Sequence, residues 1–244
     1  LVLVWSIVAL PFMRRPPESI AALKPKHDDT GLNLTGKETV KEPSFWLFCM
    51  WRSLLMGSIA AIIAQASVML TGIGASIAFA SAAVGALSLG NGLGRPLGGI
   101  IYDRIGQSKT MILLPSLGLV TSLLMLPCYF SHSIELFASL LLAEGLVYGM
   151  YSAINTSYMR TTYGQRFLAT NTGISAVVLA PFNLLFPFIA ACIFSTCGAY
   201  DAFFMLIPLC ALGSLLCAIA NKHAIERMLQ RSTTKNLELA HHRS

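Results

Sequence analysis

Charge is scarce in this sequence. Only 11% of its 244 residues are Asp, Glu, Lys or Arg, while 55% are hydrophobic. Soluble domains contain about 25% charged residues. A chain with so little charged surface cannot expose most of its exterior to water, so we expect an integral membrane protein solvated mainly by lipid.

The sequence also lacks the patterns of disulfide, metal and catalytic sites. Its six cysteines fall in or beside apolar runs without C-x-x-C spacing, and His241 and His242 lie in a polar tail. We interpret the cysteines as small hydrophobic residues. There is no phosphate-binding loop and no nucleophile beside a base. We therefore expect no metal, no cofactor and no enzymatic activity.

The net charge of +6 does not predict a nucleic-acid partner, because basic residues in a membrane protein mark cytoplasmic loops. Basic residues outside the apolar runs cluster in 14–44, 104–109, 160–166 and 222–244. The alternate connections contain none: 70–73, 131–133 and 195–200. This distribution predicts a multi-pass protein of the plasma (cell inner) membrane with a cytoplasmic linker and a cytoplasmic C-terminus.

Long apolar runs define the expected domains. A membrane-spanning helix needs roughly 20 mostly apolar residues, and six stretches qualify: 45–69, 74–101, 110–130, 134–157, 168–194 and 201–221. We expect residues 1–13 to end a preceding transmembrane helix, 14–44 to form a cytoplasmic linker, 45–221 a six-helix bundle and 222–244 a cytoplasmic tail. This order predicts an all-α, six-helix half of a twelve-helix transporter, with the N-terminal half of the same polypeptide as its partner.

A charged motif lies at the end of the second span. Gly99, Asp103, Arg104 and Gly106 form G-x-x-x-D-R-x-G, and Lys109 follows. The motif resembles the signature loop of the major facilitator superfamily, which implies a gating role for these five residues. Physically, Asp103 can accept hydrogen bonds from the N-terminus of a neighbouring helix, where the dipole is positive. The alternative is an ordinary charged turn.

Small residues precede this motif at a spacing of four and predict close helix packing: Gly74, Ala78, Ala82, Ala86, Gly90, Gly94 and Gly98.

Arg95 lies seven residues before Tyr102, roughly 10 Å into the membrane at about 1.5 Å per residue. The Gly94-Arg95-Pro96 triplet, together with Tyr163-Gly164-Gln165-Arg166-Phe167, resembles monocarboxylate transporters and oxalate/formate-type antiporters. That resemblance implies that Arg95 binds a substrate carboxylate. Oxalate-type members carry a lysine where this chain has Thr170, which favours a monocarboxylate. The alternatives for Arg95 are extension to the cytoplasmic interface or an ion pair with Glu144.

Polar residues of the fourth span fall on one helical face: Glu144, Tyr148, Tyr151 and Asn155. We expect this stripe to line the bundle interior, with Tyr148, Tyr151, Asn155 and also Asn171 contacting substrate. Because burial disfavours a charged carboxyl, Glu144 is the candidate for proton coupling, the alternative being a structural partner.

Arg52 of the first span lies more than about 200° around the helix from Ser58 and Gln65, at about 100° per residue. We expect its side chain to extend to the membrane interface.

Together these features predict a secondary active transporter of a small organic anion, with a monocarboxylate favoured, working by alternating access. Two alternatives remain: a transporter of another solute such as a drug or nitrate, or a non-transporting membrane sensor on the same fold.

Overall fold

The computed structural model describes residues 32–241, with side chains described through residue 234. Six long helices follow a single helical turn, Gly36–Thr39: α1 (Pro43–Gly72), α2 (Ile77–Ile105), α3 (Gln107–Phe130), α4 (Ile134–Tyr163), α5 (Leu168–Cys197) and α6 (Asp201–His241). Each is long and apolar enough to cross a membrane. The described part of the chain contains no strand, and the predicted all-α membrane architecture is confirmed. The expected helix end at 1–13 lies outside the described residues.

The helix boundaries follow local chemistry. Pro43 opens α1, where its missing N–H removes no helical hydrogen bond. Ser76 caps α2 by accepting a hydrogen bond from the Phe79 N–H at 3.2 Å. Helix α6 continues past Asn221 to His241, because the residues after Asn221 include good helix formers such as Lys, Ala, Glu and Arg. Polarity at this point therefore does not end the helix.

Helices α1 and α4 occupy the middle of the bundle. Helix α4 packs most extensively on α2 and also contacts α3, α1 and α5, while α1 packs on α5, α6, α2 and α4. Helices α2 and α5 keep most of their membrane-spanning side chains exposed. Polar groups on α1 and α4 therefore meet protein on several sides, whereas those on α2 and α5 include an open face.

One end of the bundle, where α2 and α4 finish and α1, α3 and α5 begin, carries the basic loops and is called here the basic end. Its interior contains stacked aromatic rings: Phe48 lies on Tyr158 with centroids 3.7 Å apart, and Trp51 lies on Tyr151 at 4.3 Å. Nearby, the Asn221 amide donates to the Ser44 carbonyl oxygen at 2.6 Å. These contacts join α1, α4 and α6.

The segment 32–35 lies across the connection between α4 and α5 and is called here the docked segment. The Leu34 N–H donates to the carbonyl oxygen of Tyr163 at 3.0 Å. Gly164 adopts φ +91°, and a Cβ there would overlap the carbonyl oxygen of Leu32. A glycine is therefore required both by the backbone conformation and by the close approach of the docked segment.

Glycines bring α2 and α4 into close contact. A Cβ on Gly90 would lie 2.6 Å from the Leu142 carbonyl oxygen, and one on Gly98 would lie 2.7 Å from Cα of Met150. The small-residue stripe predicted from a spacing of four is only half correct, because residues four apart drift by about 40° per step on a 3.6-residue helix. The later members of the stripe, Gly90, Gly94 and Gly98, are buried. The first members, Gly74, Ala78 and Ala82, are exposed.

Candidate functional site

Glu144 is the one carboxyl buried among the described side chains, with no exposed surface. Its Oε1 accepts a hydrogen bond from Thr121 Oγ1 of α3 at 2.6 Å, and its Oε2 is buried without a partner. Within the described residues no ion pair joins Glu144 to Arg95 or to another cation. An uncompensated charge is costly in such a place, so the surroundings accommodate the neutral carboxyl.

Two other residues of the predicted stripe bond to neighbouring helices. The Tyr151 hydroxyl lies 3.2 Å from Ser214 Oγ of α6, and Ser214 in turn donates to the Trp51 carbonyl oxygen of α1. Asn155 Oδ1 accepts from Ser175 Oγ of α5 at 2.8 Å. The stripe is buried in the bundle and links α4 to several neighbours. A contact of Tyr151 or Asn155 with substrate stays a prediction.

Arg95 lies on α2 and Tyr148 on α4, the two helices that pack together most extensively. Arg95 is exposed, whereas Tyr148 is half-buried. The Tyr148 hydroxyl lies within electrostatic reach of both Arg95 and Arg52. The resemblance implied Arg95, and the helical stripe singled out Tyr148, but neither signal identified Arg52 as a second positive charge acting on Tyr148.

Arg52 does not extend to the interface, so the sequence interpretation of this residue is wrong. It is 7% exposed, its Nε donates to Met56 Sδ at 3.4 Å, and its Nη1 is buried without a hydrogen-bond partner. The physical reason lies in α1, which packs against four other helices, α5, α6, α2 and α4. An angle measured from the polar residues Ser58 and Gln65 therefore does not identify a lipid-facing side.

Asn171 lies at the beginning of α5 and is fully buried. Its Nδ2 donates to the Leu34 carbonyl oxygen of the docked segment at 3.1 Å, while its Oδ1 has no partner. The Asn171 amide thus has a protein partner at the basic end of the bundle. This hydrogen bond shares no residue with the one between Glu144 and Thr121. Substrate contact by Asn171 stays a prediction.

The residues of the signature loop lie at the turn between α2 and α3. Gly106 adopts φ +79° and joins the two helices as a single residue, which requires glycine. The side chains of Asp103, Arg104 and Lys109 are exposed and form no ion pair within the described residues. Gly99 has open space where its Cβ would lie. The charged groups are therefore available to a partner.

A polar cluster beside this loop was not predicted. Gln107 Oε1 lies 3.1–3.2 Å from the hydroxyl oxygens of Tyr102, Thr161 and Thr162. The cluster ties the α2–α3 turn to the end of α4. A buried glutamine directly after the loop glycine was the available signal, but two of its partners, Thr161 and Thr162, lie more than 50 residues away in sequence.

Among the described residues no group of three or more His, Cys, Asp or Glu side chains could hold a metal ion. The family model described as Major Facilitator Superfamily matches residues 1–187. Comparison with individual curated proteins gives no match. The match covers most of the chain, through the greater part of α5, and includes the charged α2–α3 turn. The chain belongs to the major facilitator superfamily, a family of multi-pass membrane transporters.

Proposed function

We propose that the chain is part of a secondary transporter that moves a small organic anion, a monocarboxylate, by alternating access. The observation that carries this proposal is the place of Arg95. It is an exposed cation on an apolar membrane-spanning helix, surrounded along α2 by exposed Leu93 and Leu97. A guanidinium at that depth is unfavourable in lipid and requires a water-filled cavity or a partner.

A carboxylate suits Arg95 because the planar guanidinium can donate two parallel hydrogen bonds to it. The Tyr148 hydroxyl of α4, which is within electrostatic reach of Arg95, supplies a further polar group. Glu144 has no positive partner among the described residues, which leaves its carboxyl free to gain and release a proton. These features support transport of an anion coupled to a proton.

We also propose that the chain is the C-terminal half of a duplicated transporter, with residues 1–13 ending a helix of the other half, 14–44 linking the halves and 222–244 forming a tail. The open faces of α2 and α5 support this arrangement, because a second bundle can cover them and enclose Arg95. Saturable uptake by vesicles that contain residues 1–244 alone would contradict the need for another half.

The test is counterflow uptake in vesicles containing the native polypeptide, with a panel of labelled monocarboxylates, dicarboxylates and nitrate. We expect exchange of monocarboxylates. Arg95→Gln should weaken apparent affinity by about 10- to 100-fold, the effect of losing a charge-assisted hydrogen bond of roughly 1.5–3 kcal/mol. Arg95→Lys should recover only part of the lost affinity, because lysine lacks the planar guanidinium that donates two parallel hydrogen bonds.

Arg227→Gln is the matched control, because Arg227 is an exposed arginine near the end of the described side chains. Normal carboxylate affinity in Arg95→Gln would end the substrate role of Arg95. Uptake of nitrate without uptake of any carboxylate would change the substrate class. Binding without uptake of any solute would favour a sensor.

A further inference from the structure

Arg52 is a buried cation whose charge lacks compensation within the described chain. Its side chain is 7% exposed and its Nη1 is buried without a partner. The single side-chain hydrogen bond from its Nε goes to the thioether of Met56, a weak acceptor. Within the described residues no carboxylate pairs with it. A buried unpaired charge is strongly unfavourable, so Arg52 calls for an anion that compensates its positive charge.

The groups around Arg52 are suited to a small anion. The Tyr148 hydroxyl lies within electrostatic reach of Arg52 and also of Arg95 on α2. Tyrosine can donate one hydrogen bond, and the two arginines supply positive charge from different helices. Glu144, one turn before Tyr148 on α4, bonds to Thr121 instead. Positive charges on α1 and α2 therefore both act on the Tyr148 hydroxyl, and Arg52 Nη1 remains an unsatisfied donor.

The burial of Arg52 Nη1 also limits what can bind. A lipid headgroup remains attached to its acyl chains at the membrane surface and cannot follow a side chain into the centre of a helix bundle. A small carboxylate has no such attachment and can present two oxygen atoms to the guanidinium. The other possible source of negative charge is a carboxylate from a part of the polypeptide outside the described residues.

We propose that Arg52 binds the carboxylate of the transported solute inside the bundle, with Tyr148 donating a hydrogen bond to it and Arg95 supplying the second positive charge. This inference rests on the proposed function, because it assigns a second arginine to the same anion. It makes Arg52 a specificity-determining residue. The solute is a small carboxylate whose charged end enters between α1 and α4.

The experiment uses the purified native polypeptide with sodium pyruvate as the probe and sodium chloride at equal ionic strength as its control. Binding is measured as the pyruvate-dependent rise in melting temperature, and transport as uptake of labelled pyruvate into vesicles. Arg52→Gln removes the charge, Arg52→Lys keeps the charge without the fork, and Arg227→Gln is the exposed control. The melting temperature without pyruvate is measured for every variant.

We expect Arg52→Gln to raise the apparent dissociation constant for pyruvate by about 10- to 100-fold, with Arg52→Lys intermediate and Arg227→Gln unchanged. Without pyruvate, Arg52→Gln should melt at the wild-type temperature or above it, because it removes an unpaired buried charge. If Arg52 instead pairs with a carboxylate elsewhere in the polypeptide, Arg52→Gln will melt lower without ligand and bind pyruvate normally, which overturns the proposal.

The two measurements separate this inference from the proposed function. Stabilisation by pyruvate that depends on Arg52, without uptake, supports the anion site and refutes transport. Uptake with the same Michaelis constant in wild type and Arg52→Gln supports transport and overturns the Arg52 site. If pyruvate neither stabilises the wild-type protein nor is taken up by vesicles that contain it, both the Arg52 site and the proposed transport function are overturned.

Discussion

The contact between α2 and α4 predicts opposite effects for two alanine substitutions that are two residues apart. A Cβ on Gly90 would lie 2.6 Å from the Leu142 carbonyl oxygen and 3.2 Å from the Leu146 nitrogen, both backbone atoms. A Cβ on Gly92 would meet nothing within 4 Å. Both substitutions gain the same helix propensity, about 1 kcal/mol for alanine over glycine. That gain cancels when the two variants are compared.

The difference between the variants therefore measures the clash. An ordinary contact begins near 3.4 Å, so Gly90→Ala must separate the two helix backbones by about 0.8 Å or distort one of them. Overpacking of this kind costs about 1–3 kcal/mol. At roughly 2–4 °C per kcal/mol for chains of this size, Gly90→Ala should melt about 2–12 °C below Gly92→Ala.

The assay is thermal unfolding of the detergent-solubilised protein, followed by circular dichroism, for wild type and both variants. Gly92→Ala should match wild type or exceed it. Equal melting temperatures for the two variants would refute the close α2–α4 contact, and so would a larger loss in Gly92→Ala. The comparison does not depend on any function of the protein, so it tests the helix packing alone.

Three further predictions follow from the polar groups. Glu144→Gln should abolish proton-driven accumulation but retain solute exchange, because glutamine keeps an acceptor for Thr121 yet cannot release a proton; accumulation at the wild-type level in a pH-gradient assay would contradict this. Asp103→Asn should slow transport while leaving membrane insertion intact, because it removes the negative charge that we expect to interact with the N-terminus of a neighbouring helix, an interaction worth about 0.3–1 kcal/mol; unchanged uptake at normal expression would reduce the motif to a turn. Single cysteines placed at 131–133 or 198–200, in a background without native cysteines, should react with an impermeant reagent from outside the cell and those at 24–37 should not; the reverse pattern would invert the proposed orientation.

The architecture could be predicted because the bilayer imposes it on the sequence. A helix must remain apolar for roughly 20 residues, and basic residues collect at alternate connections, so both signals are local and can be counted. Helix α6 shows the limit of predicting helix ends from composition. The apolar run of α6 stops at Asn221, but the helix continues to His241, because composition reports the solvent of a segment more directly than its backbone conformation.

The candidate site was less predictable, because its residues depend on which helices pack together. The spacing of Tyr148 on one face of α4 is visible in the sequence, but the electrostatic influence of Arg52 on it depends on the packing of α1 with α4. Arg52 was misread for the same reason: periodicity identifies a lipid face only when a helix has one. Two buried partners of Gln107, Thr161 and Thr162, likewise come from a helix that is more than 50 residues away in sequence.

The docked segment has a consequence for biosynthesis. Leu34 accepts its hydrogen bond from Asn171, which lies 137 residues later in the chain. At about 5–20 residues per second, a ribosome needs roughly 7–27 s to make the intervening chain. During that interval the segment has left the ribosome while the surface that receives it does not yet exist. Docking of residues 32–35 is therefore a late event, which waits until α1 to α4 have been synthesised and α5 has begun.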